Sequence, residues 1–400
     1  MGECRPVSDR PAMLPEHGQA RGANPGAREG VVIFGLTSLC VLWPTAFMSA
    51  PAPNVLIIRR RYLGDIVLLG NVLRNLRLHW PVARLTVLTE SAYAGVLAMN
   101  PDADGVLPFP NRLADWWKLW WRLRSERFTH VLDFDNRDKS AFITLATGAS
   151  HRYGLRHGRA VHLPRCYTDH EVVPREFLDD HHINDFCQRL LVRAGVPIAT
   201  RDVTLHPLAA DFEFVRRLPE IAGLPTDRPR VLVHPGSRSE FRVWPAEHFA
   251  AVCGRIVAEG LASVTIVAGP AEAHLVEAIR GRMTVPVACL RQPFTVPQLG
   301  ALCTNYDVLL CHDSGPMHVA AAVGTRVVAL FGSQSRTIFG PVGEGHVTVS
   351  PPLPCAACVA PGVCKRDDAY FNYCVRNIAP ERVLEALRGV LSKSTLRPTS

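Results

Sequence analysis

NVLIIRRRYLGDIVLLGNVLRNLRLHWPVARLTVLT, residues 54–89, changes hydrophobic period twice. Residues 55–59 open as the apolar run of a strand covered on both faces, 66–79 repeat apolar residues at helical spacing, and 85–89 are again a buried strand. A strand, a helix and a second strand in such short compass predict a parallel sheet with covering helices. Outward from this unit the alternation continues: a helix at 91–99, a short strand at 105–107 stopped by Pro108, a Trp-rich helix at 112–125 and a strand at 129–134. A stretch rich in charge, His and Pro fills 150–185, and a helix follows at 182–194. PRVLVH, 229–234, starts the pattern afresh after the turn-rich GLPTDRP. Helices at 246–259, 271–281 and 315–323 then alternate with strands at 263–268, 306–311 and 326–331. The class is α/β, with two Rossmann-like halves of similar size and a terminal helix at 380–391 expected to pack back on the first half.

Composition narrows the function. With 48% hydrophobic and 20% charged residues in 400, the chain is globular and long enough for two domains. None of its four lysines, Lys118, Lys139, Lys365 and Lys393, follows a glycine, which excludes the ending of a phosphate-cradling P-loop. HExxH, GxSxG and a post-strand GxGxxG are missing too, removing the commonest zinc-protease, serine-hydrolase and dinucleotide signatures. The 44 Lys+Arg exceed the 36 Asp+Glu, a net charge of +8 that suits anionic partners. These charges are spread along the chain without an RNA-reading motif, so nucleic acid is not expected as a partner. Twelve cysteines are too sparse for a disulfide scaffold and fit a reducing compartment.

Residues 1–53 read as a leader. The first thirty are rich in Gly, Pro, Ala and Arg without period, and VVIFGLTSLCVLWPTAFM, 31–48, is an apolar run of marginal spanning length broken by Pro44. A signal peptide, a single anchor and sequence upstream of a start at Met48 compete; the last is favoured, because MSAPAP is an ordinary short run-in to the first strand.

In open parallel sheets, ligands sit beyond the carboxyl ends of the strands. RRRYLGD ends the first strand, and Asp65 there is either an ionised general base at a helix N-terminus or a plain helix cap; Gly64 lets a substrate approach the backbone. HDSGPMH, 312–318, sets Ser314 and Gly315 before Pro316, a phosphate seat or a capped turn. Asp313 is a candidate acceptor from a ribose or sugar hydroxyl, and His318 a phosphate contact. HPGSRSEFRVWP, 234–245, combines a tight turn at Gly236 and Ser237 with Arg238 and Arg242, which face either a diphosphate or solvent. Asp133 and Asp135 form a D-x-D, a weak metal pattern that turn-making carboxylates also produce.

The series RRRYLGDIVLLGNVLRNLRLHWP (59–81), DNRDKSA (135–141), HPGSRSEFRVWP and HDSGPMHVAAAVGTRVVALFG (312–332) resembles glycosyltransferase family 9, the bacterial ADP-heptose:lipopolysaccharide heptosyltransferases, over about 54–392. The resemblance implies a GT-B fold, with an acceptor-binding domain over 54–205, a nucleotide-sugar-binding domain over 229–378, and residues 379–392 returning toward the first. It implies inverting, metal-independent transfer from ADP-heptose to a lipid-linked glycan acceptor. It carries the catalytic base onto Asp65 and the donor loop onto Asp313, Ser314, Gly315, Pro316, Met317 and His318. Arg242 stands where the family usually has Lys, Glu272 falls near an acid that contacts the nucleoside ribose, and Ser237 joins the donor set. Arg59, Gly64 and Lys139 are the phosphate or acceptor candidates. Cytosolic nucleotides and a lipid-linked acceptor imply a cytoplasmic protein, peripheral on the inner face of the membrane.

Two features stand outside those motifs. Cys355, Cys358, Cys364 and Cys374 are either four soft ligands for structural zinc or an iron–sulfur cluster, or packed thiols on a loop. Trp116, Trp117, Trp120 and Trp121 give one aromatic face with basic flanks, either a membrane-surface helix or a core-facing one. Two further readings compete with the transferase: a non-catalytic nucleotide-sugar-binding protein, for which the Lys to Arg change would be a symptom, and a GT-B nucleotide-sugar epimerase, which would need no acceptor.

Overall fold

The computed structural model describes residues 52–225, 227–239, 242–353, 355, 358 and 373–393. Residues 1–51, and with them almost all of the leader, lie outside that set. Six parallel strands, β1 (Asn54–Ile58), β2 (Arg84–Thr89), β3 (Gly105–Pro108), β4 (His130–Asp133), β5 (His151–His157) and β6 (Asp169–Val173), form one sheet in the order β3-β2-β1-β4-β5-β6. Six more, β7 (Arg230–His234), β8 (Ser263–Val267), β9 (Ala288–Leu290), β10 (Val308–His312), β11 (Arg326–Leu330) and β12 (Val347–Val349), form a second in the order β12-β11-β10-β7-β8-β9. Read from its other end, the second order repeats the first strand for strand. Each sheet reverses direction between its first and fourth strands, and that is where a crevice opens at the carboxyl ends.

The central strands are the ones whose residues are apolar throughout. Val55, Leu56, Ile57 and Ile58 of β1 are fully buried, as are Val231, Leu232 and Val233 of β7, because helices cover both faces. Strands β5, β6, β9 and β12 were not expected from the sequence. HRYGLRH and DHEVV keep charged and His side chains exposed at one side of the first sheet, and ACL and VTV are too short to carry a period.

Helices Leu63–Leu68 and Gly70–His79 follow β1, and Ile66, Val67 and Leu68 are the buried residues of the first. Helix Ala209–Arg216, between the two sheets in sequence, packs on helix Val296–Cys303 and puts Val215 in the second half's core. The terminal helix Pro380–Leu391 differs from expectation. Its buried stripe, Val383, Leu384, Leu387, Val390 and Leu391, joins the core under β7, β10 and β11 beside helix Ala246–Ala258, so it closes the second half and not the first. The physical reason is that a stripe at 3.6-residue spacing needs an apolar sheet face, and the second sheet leaves one beside β11 and β12. Among the described residues no helix is long and apolar enough to cross a membrane.

Truncating Leu387, fully buried in that cluster, is a direct check of where the helix belongs. Leu387→Ala is expected to cost about 2–5 kcal/mol. In urea unfolding the loss should appear in the second half, read by the buried Trp244, with Trp80 of the first half lagging.

Candidate active site

The two halves touch through the helices that follow their innermost strands. Helix Leu63–Leu68 crosses helix Gly315–Ala322 at two glycines: a Cβ on Gly64 would lie 2.8 Å from His318 Cδ2, and one on Gly315 would lie 2.6 Å from Leu63 Cδ2. Only hydrogen fits at either position. A cavity of about 380 Å³ opens beside this crossing, lined from the first half by Arg59, Tyr62, Gly64 and Asp65 and from the second by Arg238, Arg242, Asp313, Ser314, Gly315 and His318.

Asp65 lies in the first turn of its helix, and its Oδ2 accepts the Tyr62 backbone N–H at 3.0 Å. The helix-cap reading is therefore real, and it does not displace the other one. Arg59 Nη2 sits 3.0 Å from the same Oδ2, so both contacts fall on one oxygen. The carboxylate is thereby oriented with its other edge available to the cavity it lines. Arg59 is itself held from behind: Nη1 donates to the Phe134 carbonyl at 2.9 Å and lies 4.0 Å from Asp135 Oδ1. A guanidinium held between two carboxylates positions Asp65, and Arg59 still lines the cavity.

The D-x-D resolves the same way. Asp133 is fully buried; its Oδ1 accepts the N–H groups of Asp135 and Asn136 at 2.9 and 3.0 Å, and its Oδ2 accepts the Tyr167 hydroxyl at 2.7 Å. Burial pushes its pKa up to about 6 while those donors pull the other way. Its oxygens build the turn after β4.

On the second half, Arg242 Nη1 lies 3.0 Å from Asp313 Oδ2 and donates to the Asp313 carbonyl at 3.2 Å. Burial raises the Asp313 pKa to about 6, with Arg242 opposing. Two residues expected to contact the donor separately thus form one unit. The Arg242 fork keeps further N–H groups for an anion, a division of labour that the single ammonium of Lys makes less readily. Ser314 Oγ donates to the His312 carbonyl at 3.2 Å, while Ser314 and Gly315 begin the helix; the Met317 N–H turns back to the Ser314 carbonyl at 3.1 Å, and the Gly315 N–H precedes any intrahelical acceptor. Pro316 occupies the first turn. Met317, in the same loop, is fully buried in the second core, where its side chain anchors the helix. His318 lines the cavity against Gly64, and burial, with His182 nearby, drives its pKa down to about 3; it is a neutral contact.

Three expected residues stand back from the cavity. Lys139 is exposed on helix Asp138–Ala146, its Nζ 5.8 Å from the Trp116 ring centroid. Ser237 Oγ accepts the Ser239 N–H at 3.4 Å, stabilising the turn. Glu272 Oε2 lies 3.7 Å from His234 Nε2, and its carboxylate fills the space over Gly236 that a side chain would need. Of the four cysteines, Cys364 lies outside the described residues; Cys355 and Cys358 are exposed, and Cys374 Sγ packs over Gly332. Among the described residues no group of three or more His, Cys, Asp or Glu is placed to hold a metal ion.

Beside the apolar Leu68, Ile183 and Phe339, the lining residues not among those expected are Tyr62, whose ring lies 3.8 Å under the Arg238 guanidinium across the crevice, and Gln334. Gln334 follows β11, so the rule that sites follow strand ends would have found it. Tyr62 lies as close to the end of β1, within RRRYLGD, but its contact with Arg238 joins the two halves and has no local signal. Behind the site, His312 is fully buried between two backbone groups: its Nε2 accepts the Trp244 N–H at 2.8 Å, which places the ring proton on Nδ1, 3.3 Å from the Gly236 carbonyl.

Burial lowers the His312 pKa to about 3, below the value near 6.5 of the unfolded chain. Below pH 6.5 the unfolded state binds a proton that the native state refuses, so stability falls with acidity. The slope per such group approaches about 1.4 kcal/mol per pH unit. Asp313 has the opposite sign: its raised pKa makes stability fall as pH rises from about 4 to 6. Urea unfolding between about pH 4.5 and 7 should therefore show a shallower acid loss for His312→Gln and a steeper one for Asp313→Asn, each against wild type. Parallel curves would refute the assignment.

Residues 116–365 match the family model of glycosyltransferase family 9 (heptosyltransferase). The chain is 25% identical over 293 residues to lipopolysaccharide heptosyltransferase 3 of Escherichia coli, covering 70% of this chain and 84% of that one. Its fold is similar to that of a glycosyl transferase family 9 protein from Veillonella parvula, at a TM-score of 0.75 and 20% identity over 87% of this chain and 99% of that one. The E. coli ADP-heptose LPS heptosyltransferase II is also similar, at a TM-score of 0.69 and 20% identity over 85% of this chain and 99% of that one. Two Rossmann-like halves facing across a crevice are the GT-B fold. The family model spans more than half of the sequence, and the chain belongs to glycosyltransferase family 9, the heptosyltransferases.

Proposed function

We propose that this enzyme transfers heptose from ADP-heptose to a hydroxyl of a lipid-linked, lipopolysaccharide-core-like glycan, with inversion at the anomeric carbon and without a catalytic metal. One observation carries the proposal: a carboxylate of the first half, Asp65, and an anion-suited loop of the second, 313–318, line a single cavity. The names of the relatives supply the sugar. A solved relative is called an ADP-heptose LPS heptosyltransferase, and a curated one a lipopolysaccharide heptosyltransferase.

The chemistry follows from the positions. Asp65, oriented by Arg59, takes the proton of the acceptor hydroxyl as its oxygen attacks the anomeric carbon. The C–O bond to the diphosphate breaks on the opposite face. The leaving charge is met by Arg242, by Arg238 and by the first turn of helix Gly315–Ala322, all fixed before the reaction. Guanidinium forks and helix N–H groups together do what a divalent ion does elsewhere. Cytosolic nucleotide sugar and a lipid-linked acceptor support a cytoplasmic enzyme, peripheral on the inner face of the membrane. The presence of Asp65 in the same cavity as the donor loop favours a transferase over a non-catalytic binding protein.

Asp65→Asn is expected to lower kcat roughly a hundred- to ten-thousandfold while ADP binding, measured by calorimetry, stays within about twofold. Arg242→Ala is expected to weaken ADP roughly tenfold or more. Gly64→Ala pushes on His318 at the crossing and should reduce turnover without removing any polar group. Wild-type rates should be the same with EDTA, and NMR of the product should show the inverted anomer. A full rate for Asp65→Asn would eliminate it as the base, and ADP binding with no transfer to any acceptor would favour the binding-protein reading.

A further inference from the structure

Helix Leu113–Ser125 buries Leu119 and Leu123, with Trp116 half-buried beside Phe109, and these satisfy its need for a core. Its other tryptophans turn outward: Trp117, Trp120 and Trp121 are 64%, 41% and 56% exposed. Trp117 and Trp120 stack at 5.4 Å, and Trp121 stands edge-on to both. The neighbouring helix Asp138–Ala146 exposes Phe142 and Leu145, and an apolar groove of about 490 Å³ runs between the two. So much exposed aromatic surface on one side of a domain is a partner site and not ordinary surface.

We propose that this face is where the enzyme seats on an anionic lipid bilayer. The proposal rests on the peripheral-membrane reading above and gives it a surface. Its chemistry is that of a membrane interface: tryptophans, which prefer the headgroup boundary, rimmed by the exposed cations Lys118, Arg122 and Arg124. Lys118 has Asp115 at 3.9 Å and Arg122 has Glu126 at 3.4 Å, surface pairs too weak to cancel a negative leaflet. A second copy docking by the same face would oppose like charges across two-fold symmetry. The apolar stretch 31–48 contains no acidic residue to answer the cations. An anionic leaflet answers both the rings and the charges. The face belongs to the half that carries Asp65, and Phe109 joins the two regions, with Arg60 over one side of its ring at 3.9 Å and Trp116 against its edge. Seating here therefore holds the acceptor side of the crevice at the lipid surface.

The test is co-sedimentation of the full chain with vesicles of phosphatidylglycerol and phosphatidylcholine, or of phosphatidylcholine alone, at low and high salt. Wild type is expected to partition onto the anionic vesicles, with a blue shift of Trp fluorescence, and to be released by salt. Trp117→Ser/Trp120→Ser/Trp121→Ser should lower partitioning at least about tenfold on anionic vesicles. Lys118→Glu/Arg122→Glu should lower it roughly thirtyfold there and little on neutral ones. Both variants should keep the wild-type melting temperature and ADP affinity, which separates failure of this surface from failure of the active-site assignment. Unchanged partitioning in both variants, no partitioning of wild type, or a wild-type dimer that the triple variant turns into monomer would overturn the proposal.

Discussion

The arrangement depends on one steric fact: two helices cross at glycine on both sides. Gly64 admits the His318 ring and Gly315 admits Leu63, so the helix after β1 and the helix after β10 approach to a distance that any side chain would prevent. Each helix begins at the crevice of its own sheet, where the strand order reverses. Bringing the two beginnings together superimposes two half-sites that neither sheet could complete alone. The contact is also buried on the first half's side, where Val319 and Ala322 of the second helix share a cluster with Ile66 and Val67. The crossing is thus both the apolar hinge pin of the two halves and the floor of the cavity.

The same electrostatic device recurs in the two halves. In the first, Arg59, just past β1, grips Asp65 and reaches toward Asp135, just past β4. In the second, Arg242, on the loop after β7, grips Asp313, just past β10. Both pairs sit where the two innermost strands diverge; Arg242–Asp313 ties the loop after β7 to the loop after β10, and Arg59 reaches the loop after β4 through its 4.0 Å approach to Asp135. Each carboxylate would be costly in a partly buried crevice without its arginine, and each arginine would be free to swing without its carboxylate. A cavity that must hold charge in fixed places gains order from the pairing.

How much of this was legible depended on where each residue's partner lies. Strands β1, β2, β7, β8, β10 and β11 were readable because a strand buried on both faces must be apolar. Strands β5 and β6 were not, since their partly exposed faces accept His, Arg and Asp. The location of the terminal helix was illegible for a related reason. Val383, Leu384 and Leu387 announce an apolar stripe, but either sheet offers an apolar face, and only the packed structure chooses. Motif residues fall where the strings place them, but their packing was not legible. Met317 and Arg59 belong to strings that mark the site, and the structure adds that the Met317 side chain is buried in the core and that Arg59 grips Asp65. Tyr62 lies in such a string too, but its pairing with Arg238 was illegible because that partner lies about 180 residues away on the other half.

Charge counting within the cavity leaves one cation in surplus, which favours an anionic ligand. Among the described lining residues three guanidiniums, from Arg59, Arg238 and Arg242, face two carboxylates, from Asp65 and Asp313. Two of the three cations are matched one to one, and Arg238 is set over an aromatic ring, which holds a cation in place without neutralising it. The surplus is on the second half, beside the start of helix Gly315–Ala322, whereas the matched pair that includes Asp65 is on the first. Positive potential on one wall and an oriented carboxylate on the other is the polarity that a displacement requires: negative charge accumulates on the leaving side while a proton departs on the entering side. A uniformly basic cavity would bind a nucleotide diphosphate as well but would set no carboxylate against the acceptor.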